Sequence, residues 1–180
     1  MLQKYIVLMK EFFEKENMRF ALIGGLALNT YGYTRFTNDV DFLTESKNSE
    51  VLQSYLDSLG FKVLQSDSAF SLHTLFNERI DLMYVNGDTA DKILGSTQIK
   101  KIGNIELPVI SPIYLALMKG FAASQDPDRI RDLDDVKKLY YLNHISKSDI
   151  ELICEKYGHK EYFKQLLNET ISGDKNEKRR

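Results

Sequence analysis

The chain has 180 residues, enough for one domain whose apolar core needs no disulfide or metal to hold it together. Hydrophobic residues make up 43% and charged residues 28%, which excludes a disordered or fibrous protein. The 24 basic and 26 acidic side chains leave a net charge of -2, so the chain as a whole does not attract nucleic acid or an anionic membrane. Any such partner has to be bound by a local patch.

No part of the sequence is typical of an export signal or a membrane span. Charged residues interrupt the first fifteen positions, and the longest apolar stretch, 113–123, is far shorter than the roughly 20 residues of a spanning helix. The one cysteine, Cys154, cannot form an internal disulfide, which suits a reducing compartment. We therefore expect a soluble, cytoplasmic protein with no membrane partner.

Apolar periodicity predicts mixed helices and strands over the first part of the chain. The predicted helices, which place apolar residues three and four apart, are 2–13, 26–31 and 51–59. The predicted strands, which are short apolar or alternating runs, are 20–23, 39–43, 61–64, 70–76, 79–85, 99–102 and 105–109. Tight turns are predicted at Asn77-Glu78 and at Gly103-Asn104.

The pattern becomes helical from residue 111 onward. The four predicted helices begin at 112 and 127 and lie near 150–157 and 161–171. The first two each follow an N-cap residue and carry proline at the first helical position. The sequence thus predicts a mixed α/β (α+β) fold, with a sheet and helices in 1–110, a helical part in 111–172 and a frayed polar tail in 173–180.

Gly24 and Gly25 stand between a predicted strand and a predicted helix. Glycine lets the backbone approach a ligand closely, and the unpaired N–H groups at a helix start favour an anion such as phosphate. A glycine pair more often marks a plain turn, so a phosphate site here depends on what lies beside it.

Asp39 and Asp41 are two residues apart on a predicted strand. Both carboxylates therefore project to the same face, while Val40 and Phe42 enter the core. Adjacent carboxylates repel each other unless a proton or a cation lies between them, and their hard oxygens suit Mg²⁺. The alternative is a solvated polar face on an edge strand.

Asp81 interrupts a strand that is otherwise apolar, which costs free energy unless the charge is paired or bound to a metal. If this strand lies beside the one that carries Asp39 and Asp41, three carboxylates converge. Two of them can then hold cations, and the third can accept the proton of an attacking hydroxyl.

The run 21–43 resembles the nucleotidyltransferases of the polymerase-beta superfamily, in which a glycine turn precedes an Asp-x-Asp strand and a third aspartate follows later. The matching positions are Gly24, Gly25, Arg35, Thr37, Asp39, Asp41 and Asp81. The resemblance implies that the glycines, the arginine and the threonine bind a nucleoside triphosphate. It also implies that the three aspartates are catalytic and bind Mg²⁺ or Mn²⁺. Many members have serine where this chain has Gly25, which leaves only backbone contacts to phosphate here.

The C-terminal half is similar to the AbiEii group of bacterial minimal nucleotidyltransferases, which includes toxins of toxin–antitoxin systems. The matching positions are Lys119, Asp132 and Asp135, which the resemblance places in the nucleotide-binding cleft. It implies that 1–110 is the nucleotidyltransferase domain and that 111–172 closes the cleft. The alternative for Lys119 is a lysine that extends from a mostly buried helix to solvent.

We therefore expect a Mg-dependent enzyme that transfers a nucleoside monophosphate from a nucleoside triphosphate to an acceptor hydroxyl. The favoured acceptor is RNA, at the 3′ end of tRNA, for a toxin-type enzyme with a cognate antitoxin. Three alternatives remain: a small-molecule adenylyltransferase of the aminoglycoside or lincosamide type, a non-catalytic antitoxin-like partner protein, and a plain structural domain. A basic patch and steeply salt-dependent binding would distinguish an RNA substrate.

Overall fold

The computed structural model describes residues 2–168, so the tail predicted at 173–180 and the end of the helix predicted at 161–171 lie outside the described residues. The α-helices within this range are α1 (Leu2–Lys15), α2 (Gly24–Thr30), α3 (Ser49–Ser58), α4 (Gly87–Gly95), α5 (Pro112–Gln125), α6 (Ile130–Tyr141), α7 (Lys147–Tyr157) and α8 (Lys164–Asn168). The strands are β1 (Phe20–Leu22), β2 (Asp39–Glu45), β3 (Lys62–Ser66), β4 (Phe70–Leu75), β5 (Glu78–Val85), β6 (Gln98–Ile102) and β7 (Ile105–Val109).

The strands form one seven-stranded mixed sheet in the order β3-β4-β5-β2-β1-β7-β6. β2 and β5 pair in parallel, as do β1 and β7, whereas the other neighbours are antiparallel. A parallel pair cannot be joined by a tight turn, and the chain between β2 and β5 contains α3 and the β3–β4 hairpin. The prediction of a mixed sheet with flanking helices is confirmed.

Aromatic side chains fill the core beneath the central strands. Phe13 of α1 stacks on Phe20 with ring centroids 4.5 Å apart, and Phe42 of β2 meets both rings edge-on. Val40 and Phe42 are fully buried, as the alternation along β2 predicts. Because these side chains point to one face of the sheet, the carboxylates between them point to the other.

Several local features differ from the sequence prediction. The helix predicted to begin at 127 opens with a 3₁₀ turn over Pro127–Arg129, so α6 itself begins at Ile130. The helix α4 was not predicted, because its nine residues are too few to show a period and its terminal glycines, Gly87 and Gly95, are typical of turns. The turn between β4 and β5 is Phe76-Asn77, one residue earlier than predicted, and Phe76 adopts a φ of +55°. A further difference concerns two predicted site residues: Gly24 and Gly25, predicted to lie between β1 and a helix, are the first two residues of α2.

The chain divides into two compact units, one up to Leu115 and one from Ala116 onward. In the second unit, the α-carbon of Gly120 in α5 lies so close to Ile153 and Tyr157 of α7 that a larger residue would collide with them. His159 adds a hydrogen bond of 2.9 Å between its Nε2 and the carbonyl oxygen of Gly120. None of the helices formed by the described residues is long and apolar enough to cross a membrane.

Candidate active site

The parallel pairing of β2 and β5 brings the three predicted aspartates together. The register places Asp39 opposite Arg79 and Asp41 opposite Asp81. Since alternate residues of a strand share a face, all four side chains project from the same side of the sheet. One carboxylate oxygen from each aspartate lies within 4.8 Å of the others.

Arg79 lies between two of these carboxylates. Its Nη2 donates a hydrogen bond of 3.0 Å to Oδ2 of Asp39 and another of 2.7 Å to Oδ2 of Asp81. Burial raises the pKa of Asp81, and the hydrogen bond from Arg79 opposes that rise. Sequence reasoning missed Arg79, although its spacing of two residues from Asp81 on a predicted strand indicates the shared face.

The glycine turn lies directly against the acidic residues. The backbone N–H of Ile23 donates to the carbonyl oxygen of Asp41 at 2.9 Å, and Gly24 follows with a φ of +67°. A β-carbon on Gly24 would overlap the carboxylate of Asp41, and one on Gly25 would lie 3.0 Å from the β-carbon of Thr37. Position 24 therefore requires glycine both for space and for backbone conformation, whereas a β-carbon at position 25 would require Thr37 to shift by a few tenths of an ångström.

Hydrogen bonds fix both ends of the loop between α2 and β2. The backbone N–H of Arg35 donates to Oδ1 of Asn29 in α2 at 2.7 Å. The hydroxyl of Thr37 donates to Oδ1 of Asp39. These contacts place the predicted nucleotide-binding loop, the glycine turn and the acidic strand in one cluster. Asn29 has this orienting role without having been singled out in the sequence.

The donor chemistry of the cluster fits a divalent cation. Three carboxylates provide the hard oxygen ligands that Mg²⁺ and Mn²⁺ prefer. Oδ1 of Asp81 is buried and has no hydrogen-bond donor among the described residues, so it can bind a cation without losing a partner.

The other three predicted residues form a separate cluster in the second unit. Nζ of Lys119 lies 2.8 Å from Oδ1 of Asp132 and 2.6 Å from Oδ2 of Asp135. Arg129 reaches the second oxygen of Asp132 at 2.7 Å. Burial raises the pKa of Asp132, but the two cations outweigh it and hold that pKa below its usual value. Lys119 is therefore a buried ion-paired lysine, and its predicted nucleotide contact stays a prediction.

No protein-family model and no curated protein sequence matches this chain. Solved structures do match it. The antibiotic-resistance factor ANT(2'')-Ia aligns with a TM-score of 0.67 at 15% identity, covering 92% of this chain and 95% of that one. The lincosamide antibiotic adenylyltransferase LnuA, in its lincomycin-bound structure, aligns with a TM-score of 0.54 at 14% identity, covering 74% of this chain and 95% of that one.

A nucleotidyltransferase-like protein from Paracoccidioides brasiliensis aligns with a TM-score of 0.53 at 14% identity, covering 92% of this chain and 91% of its own. At these identities the likeness establishes the architecture. The chain shares the mixed α/β fold of these nucleotidyltransferase structures, and its acidic cluster lies on the sheet of that fold.

Proposed function

We propose that the protein is a nucleotidyltransferase that transfers a nucleoside monophosphate from a nucleoside triphosphate to an acceptor hydroxyl. The observation that carries this proposal is the register of β2 and β5, which gathers Asp39, Asp41 and Asp81 directly beside the Gly24-Gly25 turn. Transfer of a phosphoryl group needs carboxylates that bind cations and a backbone segment that phosphates can approach closely, and this site has both.

In this proposal, the backbone of Gly24 and Gly25 contacts the triphosphate, because neither glycine has a side chain of its own to hinder the approach. Arg35 and Thr37 stand in the adjoining loop as further nucleotide contacts. Asp39 and Asp41, with Asp81 beside them, would hold Mg²⁺ or Mn²⁺, which neutralises charge on the phosphates when bound.

Asp81 is proposed to orient the acceptor hydroxyl and to take up its proton. The acceptor oxygen then forms a bond to the α-phosphorus while the bond from that phosphorus to the bridging oxygen breaks, and pyrophosphate leaves. The raised pKa of Asp81 suits this role, because a carboxylate that binds a proton more readily is a better general base.

For the acceptor we propose a hydroxyl of a small molecule. Two structures with similar folds are, by name, an antibiotic-resistance factor and a lincosamide adenylyltransferase, and the first aligns over 95% of its own length. The net charge of -2 offers no general attraction for RNA.

The second candidate acceptor is the 3′ end of tRNA or another RNA, for a toxin-type enzyme with a cognate antitoxin. The sequence matches of Lys119, Asp132 and Asp135 to the AbiEii group favour it, and in that case these residues contribute to nucleotide binding. A non-catalytic antitoxin-like role is less well supported, because all three catalytic carboxylates are present.

The cytoplasm is the proposed location. Cys154 is the one cysteine of the chain and is buried, so the chain folds without an internal disulfide. A fold of this kind is compatible with a reducing compartment.

The test is a transfer assay with each α-labelled nucleoside triphosphate and Mg²⁺ or Mn²⁺. Parallel reactions contain aminoglycosides, lincosamides or total RNA. We expect pyrophosphate release and label on one acceptor class, both abolished by Asp39→Asn with Asp41→Asn. Asp91→Asn, which alters an exposed carboxylate paired with Arg19, is the matched control and should leave transfer unchanged. Absence of both pyrophosphate release and nucleotide binding would contradict the proposal.

A further inference from the structure

The positively charged guanidinium of Arg79 lies among the three carboxylates. A single nitrogen, Nη2 of Arg79, bonds to Asp39 at 3.0 Å and to Asp81 at 2.7 Å. Arginine keeps its charge at every pH at which the protein is folded, so this neutralisation is permanent while the side chain stays in place.

The strand register explains why the guanidinium lies there. Arg79 is opposite Asp39 across the parallel pair and two residues before Asp81 on the same strand. Its side chain is 44% exposed, whereas that of Asp81 is 10% exposed. The guanidinium can therefore move out into solvent without disturbing the core, but the carboxylate of Asp81 cannot move with it.

The oxygens that Arg79 occupies belong to the carboxylates that would bind a divalent cation. A guanidinium and a divalent cation would compete for the carboxylates of Asp39 and Asp81, because like charges at such short range repel strongly. Binding of a metal ion would then displace Arg79 from at least one carboxylate. The displaced guanidinium can donate two parallel hydrogen bonds to a phosphate.

We propose that Arg79 is an internal counter-ion that competes with the divalent cation for Asp39 and Asp81. This inference rests on the proposed function, because it takes the acidic cluster as the metal site. Arg79 keeps the cluster assembled before substrate arrives and weakens its affinity for a metal ion alone. A metal ion bound to phosphates then binds more tightly than a metal ion alone, because the phosphates accept the hydrogen bonds of the displaced guanidinium.

The test is calorimetric titration of the full chain with Mn²⁺ alone, in the wild type, Arg79→Met and Arg79→Lys. Removing the competing charge should raise the affinity of Arg79→Met for Mn²⁺ by about tenfold or more, while Arg79→Lys should stay close to the wild type. Without metal, Arg79→Met should melt at a lower temperature than the wild type, and Mn²⁺ should raise its melting temperature by more.

Arg19→Met is the matched control. Arg19 also bridges two carboxylates, those of Glu45 and Asp91, and its side chain is 47% exposed, but it lies outside the acidic cluster. Its loss should leave Mn²⁺ affinity unchanged. If Arg79→Met fails to fold, Arg79→Gln removes the charge and keeps a hydrogen-bond donor.

Two results would overturn the inference. If the wild type binds Mn²⁺ and the charge-removing variants bind it no more tightly, Arg79 does not compete, although the proposed function stands. If neither the wild type nor the variants bind Mn²⁺ and the wild type transfers no nucleotide, the metal site and the proposed function fail together with the inference.

Discussion

The carboxylate of Asp41 occupies the space in which any residue other than glycine at position 24 would carry its side chain. The strand that carries Asp39 and Asp41 and the glycine pair at the start of α2 are therefore one packed unit. A change in the turn must displace the carboxylate or distort the backbone.

Gly24→Ala tests this relationship. The φ of +67° alone costs an alanine about 1–2 kcal/mol, and the overlap with Asp41 adds to that cost. We expect a lower melting temperature and weaker binding of Mg²⁺-nucleotide. Gly32→Ala is the control, since Gly32 has a φ of +84° but no heavy atom near its β-carbon position. Equal effects of both substitutions on nucleotide affinity would show that the contact with Asp41 is unimportant.

Asp81→Asn separates chemistry from binding. The substitution keeps the side-chain volume but removes the basic oxygen, so turnover should fall by about 10² to 10⁴, the usual contribution of a general base. Nucleotide affinity should change much less, because Gly24, Asp39 and Asp41 remain. Single-turnover rates and equilibrium binding on one preparation measure both quantities. Normal turnover in the variant would assign Asp81 a structural role.

The features of this site that depend on residues adjacent in the sequence could be predicted from the sequence. The alternation in β2 placed Asp39 and Asp41 on one face and Val40 with Phe42 in the core, because a strand's period of two is a property of adjacent residues. A helix after β1 was also predicted from adjacent residues, although it begins at Gly24 rather than at residue 26.

Contacts between distant segments could not be predicted in this way. The pairing of Asp41 with Asp81 depends on which strands become neighbours, and for this the sequence offered only a resemblance to a known family. The contact between Arg79 and Asp39 joins residues forty positions apart, and neither residue's own segment indicates it. Helical spacing likewise showed Lys119 on α5 but not its two carboxylate partners on α6.

Stability should fall as the pH falls below about 6.5, because of His73. This ring is fully buried, its Nε2 lies 2.9 Å from the hydroxyl of Ser71, and its Nδ1 has no partner among the described residues. Burial lowers the pKa of His73, while Asp57 opposes that effect. Between the usual pKa and the lowered one, the unfolded chain binds a proton that the folded chain does not, which favours unfolding.

Melting temperatures of the wild type and His73→Gln between pH 8 and pH 5 measure this contribution. The wild type should lose more stability than the variant over this interval. Parallel curves for the wild type and His73→Gln would show that His73 does not contribute.

The Lys119 cluster should be essential for stability whatever its role in binding. Lys119→Met leaves two buried carboxylates without their lysine, which typically costs about 3–5 kcal/mol. Arg129 still reaches Asp132, and the side chain of Asp135 is 3% exposed. Denaturant unfolding measures the effect, and Lys138→Met, at an exposed position of α6, is the control.

A triple variant then distinguishes structure from function. Lys119→Met with Asp132→Asn and Asp135→Asn removes all three charges, so most of the lost stability should return, because no unpaired buried charge remains. If Lys119 also contacts the triphosphate, the stable triple variant should still bind nucleotide several-fold more weakly than the wild type. Recovery of both stability and nucleotide affinity would mean that the cluster only stabilises the helical unit and has no role in nucleotide binding.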